Sequence, residues 1–390
     1  MKYWRGYLVA LIVTVISLSL TAFAKAHPVL VDMIYPYMSR LVITTLSQWS
    51  AGGGAVWQTV LIVMAVLFVI SIVLMILLRW NPIQWGGWVV AVICTLMMLH
   101  NGLYGLNAYC SPLADDMKVQ ITDYTVSELN EAAVYFRDQA NELAKEVHRD
   151  SKGDVEFGTF EEMAEQAGDG FRSLTYDKAV SVFSGSTVPV KKQSLLRSKG
   201  DSGITVPLTG EACVNPNVPE AALPFAMCKE MAHRMCIYSE ADANFTAFLA
   251  AVSNSSAEFR YSGYLMAYHY CYEALSNIPT STAQACAKQT HDGANHLVRN
   301  DLDDCIAFYG TSSETKKQEH NIRAADTKAT VEDDSIITFS EYASFTDLLA
   351  SWYIQEYILP LHREEEAPFN PYDPSQVDIS GLVNAPTEAA

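Results

Sequence analysis

Residues 56–78 read VWQTVLIVMAVLFVISIVLMILL, an uninterrupted stretch without a charged side chain. A helix of that length, at ~1.5 Å per residue, crosses the ~30 Å hydrocarbon layer of a bilayer with some tilt. Lipid offers no partners to backbone polar groups, so such a segment commits the chain to a membrane-spanning helix. Residues 7–24 (YLVALIVTVISLSLTAFA) form a second uncharged run behind Lys2 and Arg5. Residues 88–106 form a third, with Trp85, Trp88 and Tyr104 as interfacial aromatics at its ends. Ala22-Phe23-Ala24 has the small-x-small form of a signal-peptidase site. Two further spans come after it, which favours an uncleaved anchor. Between the first two spans, residues 30–50 place Met38, Leu41, Val42, Thr45 and Trp49 at helical spacing. This segment reads as an amphipathic helix along the outer interface or as a connecting helix packed on the rest of the protein. A three-helix membrane anchor over residues 1–106 is therefore expected.

Charge separates this anchor from the rest of the chain. Lys2, Arg5, Lys25, Arg40 and Arg79 against Asp32 give residues 1–106 a net charge of +4, so the remainder carries −22 in a chain whose total is −18. A chain of that sign lacks the basic face needed to displace counterions from phosphates, which excludes a non-specific nucleic-acid binder. Lys2, Arg5 and Arg79 fall on one side of three spans, and the positive-inside rule makes that side cytoplasmic. Everything after residue 107 is then extracytoplasmic, in a cell membrane protein of several passes. Lys25 and Arg40 count mildly against this orientation. Seven cysteines lie outside the spans (Cys110, Cys213, Cys228, Cys236, Cys271, Cys286 and Cys305), and an oxidising compartment would allow some of them to pair. Cys228 and Cys236 are too far apart along one helix to join. Cys286 with Cys305 is one candidate bridge.

The outer portion reads as mainly α, with an α+β admixture. Thr125 and Glu128 have capping-box spacing, and Leu129, Ala132, Phe136, Ala140, Leu143 and Val147 make an apolar stripe behind them. An acidic helix is expected around residues 160–167, short strands within 184–211, and helices over 224–238, 240–252, 259–275 and 345–361. Tyr261, Tyr264, Tyr268 and Tyr270 read first as core packing on one of these helices. Residues 107–361 form the expected outer domain. Residues 311–334 are polar and read as a loop, and 362–390 as an acidic mobile tail punctuated by proline.

One helix carries a chemical pattern. Lys229-Glu230-Met231-Ala232-His233 keeps the Glu-x-x-His half of HExxH, in which two histidines four apart bind zinc and the glutamate acts as general base. Lysine occupies the first ligand position. An ammonium of ordinary pKa ~10.4 has no lone pair to offer a metal near neutrality. His269, His291 and His296 are the histidines that would have to fold back to replace the missing ligand.

The surroundings of that helix resemble a bacterial domain-of-unknown-function family of membrane-anchored, zinc-metallopeptidase-like proteins. The resemblance runs through Tyr35-Pro-Tyr-Met-Ser-Arg40, Tyr104-Gly-Leu-Asn107, Pro112-Leu-Ala114, and Pro207-Leu-Thr-Gly-Glu211. It continues through Val214-Asn215, Leu223-Pro-Phe225, Cys228, Glu230, His233, Ala243-Asn244-Phe245 and Tyr261-Ser-Gly-Tyr-Leu265. It implies a metallopeptidase-like fold in the outer domain, with zinc as the family's cofactor, held by the HExxH helix and by an acidic ligand just before Ala-Asn-Phe. Carried over residue by residue, Glu230 would be the general base, His233 one ligand, and Asp242 the acidic ligand, with Glu240 as the alternative. Cys213 and Cys236 depart from the family's usual residues, which suggests a bridge between them. Asp242 also replaces a glutamate, and Lys229 removes a ligand outright, so zinc is expected to be weak or absent. The expected function is a catalytically inactive pseudopeptidase that binds or regulates a protein or peptide at the cell surface. An active zinc protease with unusual ligands and a structural cell-envelope protein are the competing readings.

Overall fold

Among the described residues four helices, rather than the three expected, are long and apolar enough to cross a membrane: α1 (Arg5–Ala26), α2 (Pro28–Ser50), α3 (Val56–Leu77) and α4 (Pro82–Leu103). The addition is α2, where only Asp32 and Arg40 are charged and the mean hydropathy reaches 1.2 against 3.4 for α3. The structure is a computed structural model that describes residues 2–111, 119–174, 188–193, 195, 200–310, 336–337 and 344–360. The expected loop at 311–334, the tail at 362–390 and Pro112-Leu-Ala114 lie outside the described residues.

α1 and α4 run parallel and in close contact. A Cβ on Gly6 would collide with the Gly87 backbone near their starts, and Asn101 Nδ2 reaches Ser17 Oγ (3.2 Å) and Thr21 Oγ1 (3.1 Å) near their ends. α3 runs the other way, touching α4 through Phe68 and Trp85. α2 has an inverted pattern: Ser39, Ile43, Ser47 and Ser50 are buried, while Met33, Tyr37, Leu41 and Trp49 are exposed. Its small, polar face is the one turned to protein.

The outer portion is built on helices. α5 (Val126–Leu143) and α6 (Phe160–Ser173) both start with capping boxes, Thr125 with Glu128 and Thr159 with Glu162, which satisfy the first free N–H groups of each helix. α7 (Leu223–Arg234) is buried along its whole length and packs on α8 (Glu240–Val252) and α9 (Ala257–Asn277). α10 (Ser281–Gly293) and α11 (His296–Tyr309), which the sequence pattern did not single out, cover α9 and α5. α12 (Phe345–Tyr353) continues into a π turn over Ile354–Ile358. Phe136, Phe245, Phe248, Phe259, Tyr261 and Tyr268 are among the largest buried side chains. The tyrosines of α9 are thus core or half-buried: Tyr261 bonds Asp301 and Arg149, Tyr264 meets Tyr135 and Phe248, and Tyr270 meets Phe345.

The strands are short. β1 (Tyr124–Thr125) pairs antiparallel with β5 (Ile336–Ile337). β2 (Lys191–Lys192) runs parallel to β4 (Glu211–Val214), whose other edge takes β3 (Gly203–Val206) antiparallel, with Thr205 opposite Ala212 and Val206 opposite Glu211.

This small sheet locks onto the anchor. Glu211, buried at the start of β4, accepts the backbone N–H of Val56 (2.6 Å) and Trp57 (2.7 Å), and pairs with Lys191 Nζ at 2.8 Å. These are orphan donors of the first turn of α3, so an outer-domain carboxylate caps a membrane helix. Gly210, at φ +68°, lies against the α2 backbone at Ile43 and Ser47, where any side chain would clash. The end of α1 joins the same seam through Ala24, Val31 and Leu106. All eight cysteines are free thiols. The expected Cys213–Cys236 pair is divided between two contacts with the anchor: Cys213 Sγ takes Trp57 Nε1 at 3.3 Å, and Cys236 Sγ lies 3.3 Å from Ser39 Oγ. Cys286 and Cys305 are likewise unjoined.

Candidate functional site

Pro224 opens α7 at a position where its missing N–H is no loss, and Ser262 Oγ accepts the N–H of Phe225 (3.0 Å). One turn before the other end, i,i+4 spacing puts Lys229 and His233 on a common face. α8 starts with Ser239 as its cap, its hydroxyl accepting the N–H of Asp242, which places Glu240 at the first helical position. The two helices thereby bring three side chains together. Lys229 Nζ lies 2.8 Å from Glu240 Oε2, and His233 Nε2 lies 3.4 Å from Glu240 Oε1. Of the two acidic candidates, Glu240 is the one whose carboxylate bridges the lysine and the histidine. Lys229 and His233 are buried, whereas the Glu240 side chain is 51% exposed and forms the open side of the cluster.

His233 is oriented from behind. α7 ends in a Schellman arrangement, with Cys236 N–H on His233 O (3.0 Å) and Ile237 N–H on Ala232 O (3.3 Å). Cys236 holds the left-handed conformation this needs, at φ +70°. The turn presents the Ile237 carbonyl to His233 Nδ1 at 2.9 Å, so Nδ1 carries the proton and Nε2 faces Glu240. Burial works against a charge on this imidazole, but the hydrogen bond and field of Glu240, with Glu230 behind, outweigh it and raise its pKa above the ordinary value.

Glu230 occupies the adjoining face, under β3. Ser202 Oγ lies 3.3 Å from its Oε1 and Thr205 Oγ1 lies 3.2 Å from its Oε2. Gly203 makes room for it, since a Cβ there would stand 2.7 Å from Glu230 Cγ. Burial raises the pKa of this carboxyl, against the opposing influence of His233 and Lys229. Asn244 lies one turn beyond Glu240 and is buried, with its Oδ1 lacking a hydrogen-bond partner. Glu211 is not part of this cluster; it caps α3 from the far side of the sheet.

The donor set does not suit a resident zinc ion. A catalytic zinc site takes three protein ligands and water. Here one imidazole and one carboxylate converge, and the ammonium of Lys229 already neutralises that carboxylate. Among the described residues no group of three His, Cys, Asp or Glu side chains is placed to hold a metal, so none of His269, His291 and His296 supplies the missing ligand. His269 instead lies in the core between Tyr270 and Tyr309, with Glu273 at 3.7 Å. Ser202, Gly203, Thr205 and Ile237 were not legible as site residues, because their contacts with Glu230 and His233 arise only when the sheet and the helix turn are folded.

No curated protein and no solved structure matches the chain. The model of the family described as Protein of unknown function (DUF3810) matches residues 31–324, three quarters of the chain, which therefore belongs to that family.

Proposed function

We propose that this is a membrane-anchored, metallopeptidase-like protein whose degenerate site has become a metal-free binding module: a pseudopeptidase that engages a protein or peptide partner at the outer face of the cell membrane. The observation that carries the proposal is the Lys229–Glu240–His233 bridge. The ammonium stands where the HExxH pattern would put the first zinc-ligating histidine, and it supplies the positive charge that the surrounding carboxylates require. The binding half of the reading is supported by β3. It is an edge strand among the described residues, it touches Glu230 through Thr205, and an extended peptide can add to such an edge by main-chain hydrogen bonds. Three crossings, with α2 lying along the outer surface, and Lys2, Arg5 and Arg79 inside, put the site outside the cytoplasm.

Metal analysis of the purified full-length protein tests the first half. Wild type is expected to carry only substoichiometric zinc, and Lys229→His to gain it, because histidines at 229 and 233 with Glu240 complete three ligands. Stoichiometric zinc in wild type, accompanied by peptidase activity that Glu230→Gln abolishes, would sink the pseudopeptidase reading in favour of an active zinc protease.

A further inference from the structure

The site is fixed at a definite height. The Ile237 carbonyl stands between His233 Nδ1 (2.9 Å) and the Tyr104 hydroxyl (3.5 Å), so one oxygen atom separates the imidazole of the site from the residue that ends α4. Tyr238, 44% exposed at the mouth, packs on the Tyr104 ring at 5.4 Å between centroids. Arg40 of α2 donates through Nε to the Met235 carbonyl at 3.2 Å. On the opposite flank, Thr205 beneath Glu230 is paired with Ala212, next to Glu211, the cap of α3. The ends of both membrane hairpin helices thus touch the site's own frame. A tyrosine at the end of a span sits at the lipid headgroups, and the site is anchored to it.

We infer that the partner is a polypeptide segment emerging from the same bilayer in extended form, the membrane-proximal stalk of another membrane-anchored protein. The inference rests on the peptide-binding reading above and adds the class of partner. β3 is an edge strand of its sheet among the described residues and offers its free edge for main-chain hydrogen bonds to a polypeptide, with the Ile204 side chain, 36% exposed, on the face turned away from Glu230. A stalk rising from the membrane at ~3.3 Å per residue reaches a site at headgroup level within a few residues. Confinement to the same membrane raises its effective concentration, an advantage a soluble chain lacks.

Two measurements on the full-length protein test this. In phosphatidylcholine nanodiscs doped with a nickel-chelating headgroup lipid, a spin label introduced at position 238 should relax several-fold faster than one at Lys288 on α10; equal rates would overturn the inference. In native membranes, a photoreactive benzoylphenylalanine in place of Ile204 should form adducts with polypeptide lying within ~12 residues of a partner's membrane span, the length that covers ~40 Å when extended. Glu240→Ala should cut their yield several-fold. Adducts only with lipid, with soluble proteins or with segments remote from a span, or no adducts, would each overturn it. A site found at the headgroups that captures only soluble proteins leaves the metal-free binding reading standing, whereas zinc in wild type defeats that reading without moving the spin-label result.

Discussion

At the scale of single residues, Lys229 carries the proposed reading of the site, and a second residue shows what burial alone does. On the proposed reading, Lys229 is legible in the sequence as the position where the HExxH pattern would put a ligand. The sequence cannot show that Glu240 stands where it meets Lys229, since that depends on Ser239 capping α8 and setting the phase of its first turn. His269 is the contrasting case. It is fully buried, neither ring nitrogen has a hydrogen-bond partner, and burial pushes its pKa down to about 4. Glu273 lies 3.7 Å away, beyond hydrogen-bond distance, Cys305 and Tyr309 face the same region, and burial dominates. The imidazole is therefore neutral in the fold and takes up a proton more readily when unfolded, near its ordinary ~6.5. Stability from this residue is complete above that value and is lost as the pH falls toward 4, by up to ~3 kcal/mol. Thermal melts between these limits should show wild type losing more stability than His269→Leu; parallel pH profiles would mean that the imidazole stays charged in the fold.

At the scale of elements, the pattern of apolar residues located most of the helices, and capping chemistry fixed where several begin. The Thr125/Glu128 box, the start of α8 and the body of α9 follow from local sequence, because caps and periodicity act over one or two turns. α2 follows as a helix over residues 30–50, but which of its faces meets protein does not. Its apolar face is turned away from protein and its serines inward, so its periodicity describes contact with lipid rather than a core. The function of Pro207-Leu-Thr-Gly-Glu211 was equally hidden, since its partners are 150 residues away in sequence on α2 and α3. Glu211→Gln tests this clamp. It removes the charge that holds two α3 amides and leaves Lys191 buried beside a neutral amide, at a cost of about 2–4 kcal/mol. A lowered Tm in detergent, with faster amide exchange at Val56 and Trp57, is the expected result. Unchanged exchange there would show that the span does not depend on the outer sheet for its cap.

At the scale of the whole molecule, the contacts of the helix ends support the proposed three crossings of the bilayer where composition alone offers four candidates. α1 ends with Ala24 against Leu106 and Lys25 over the Tyr109 ring, α3 begins on Glu211, and α4 ends on the turn after α7 through Tyr104, so all three have the same ends toward the outer domain. α2 starts where α1 ends and finishes where α3 begins, and along its second half it carries Arg40 on Met235 and the Gly210 turn on Ile43 and Ser47. A helix with both ends on one side of the membrane does not span it. The two basic residues that weigh against the expected orientation are also engaged on this side, Lys25 over the Tyr109 ring at 5.6 Å and Arg40 on Met235. Lys2, Arg5 and Arg79 are left at the opposite ends of the spans, the side that the proposed orientation makes cytoplasmic under the positive-inside rule. Cysteine-scanning with a membrane-impermeant maleimide on intact cells should therefore label positions 53 and 238 from outside, and position 81 only after permeabilisation. Position 27 should label from outside as well; if it is labelled on the side opposite to position 53, α2 is a fourth crossing, and with Lys2 and Arg5 still inside the outer domain must be reassigned to the cytoplasm.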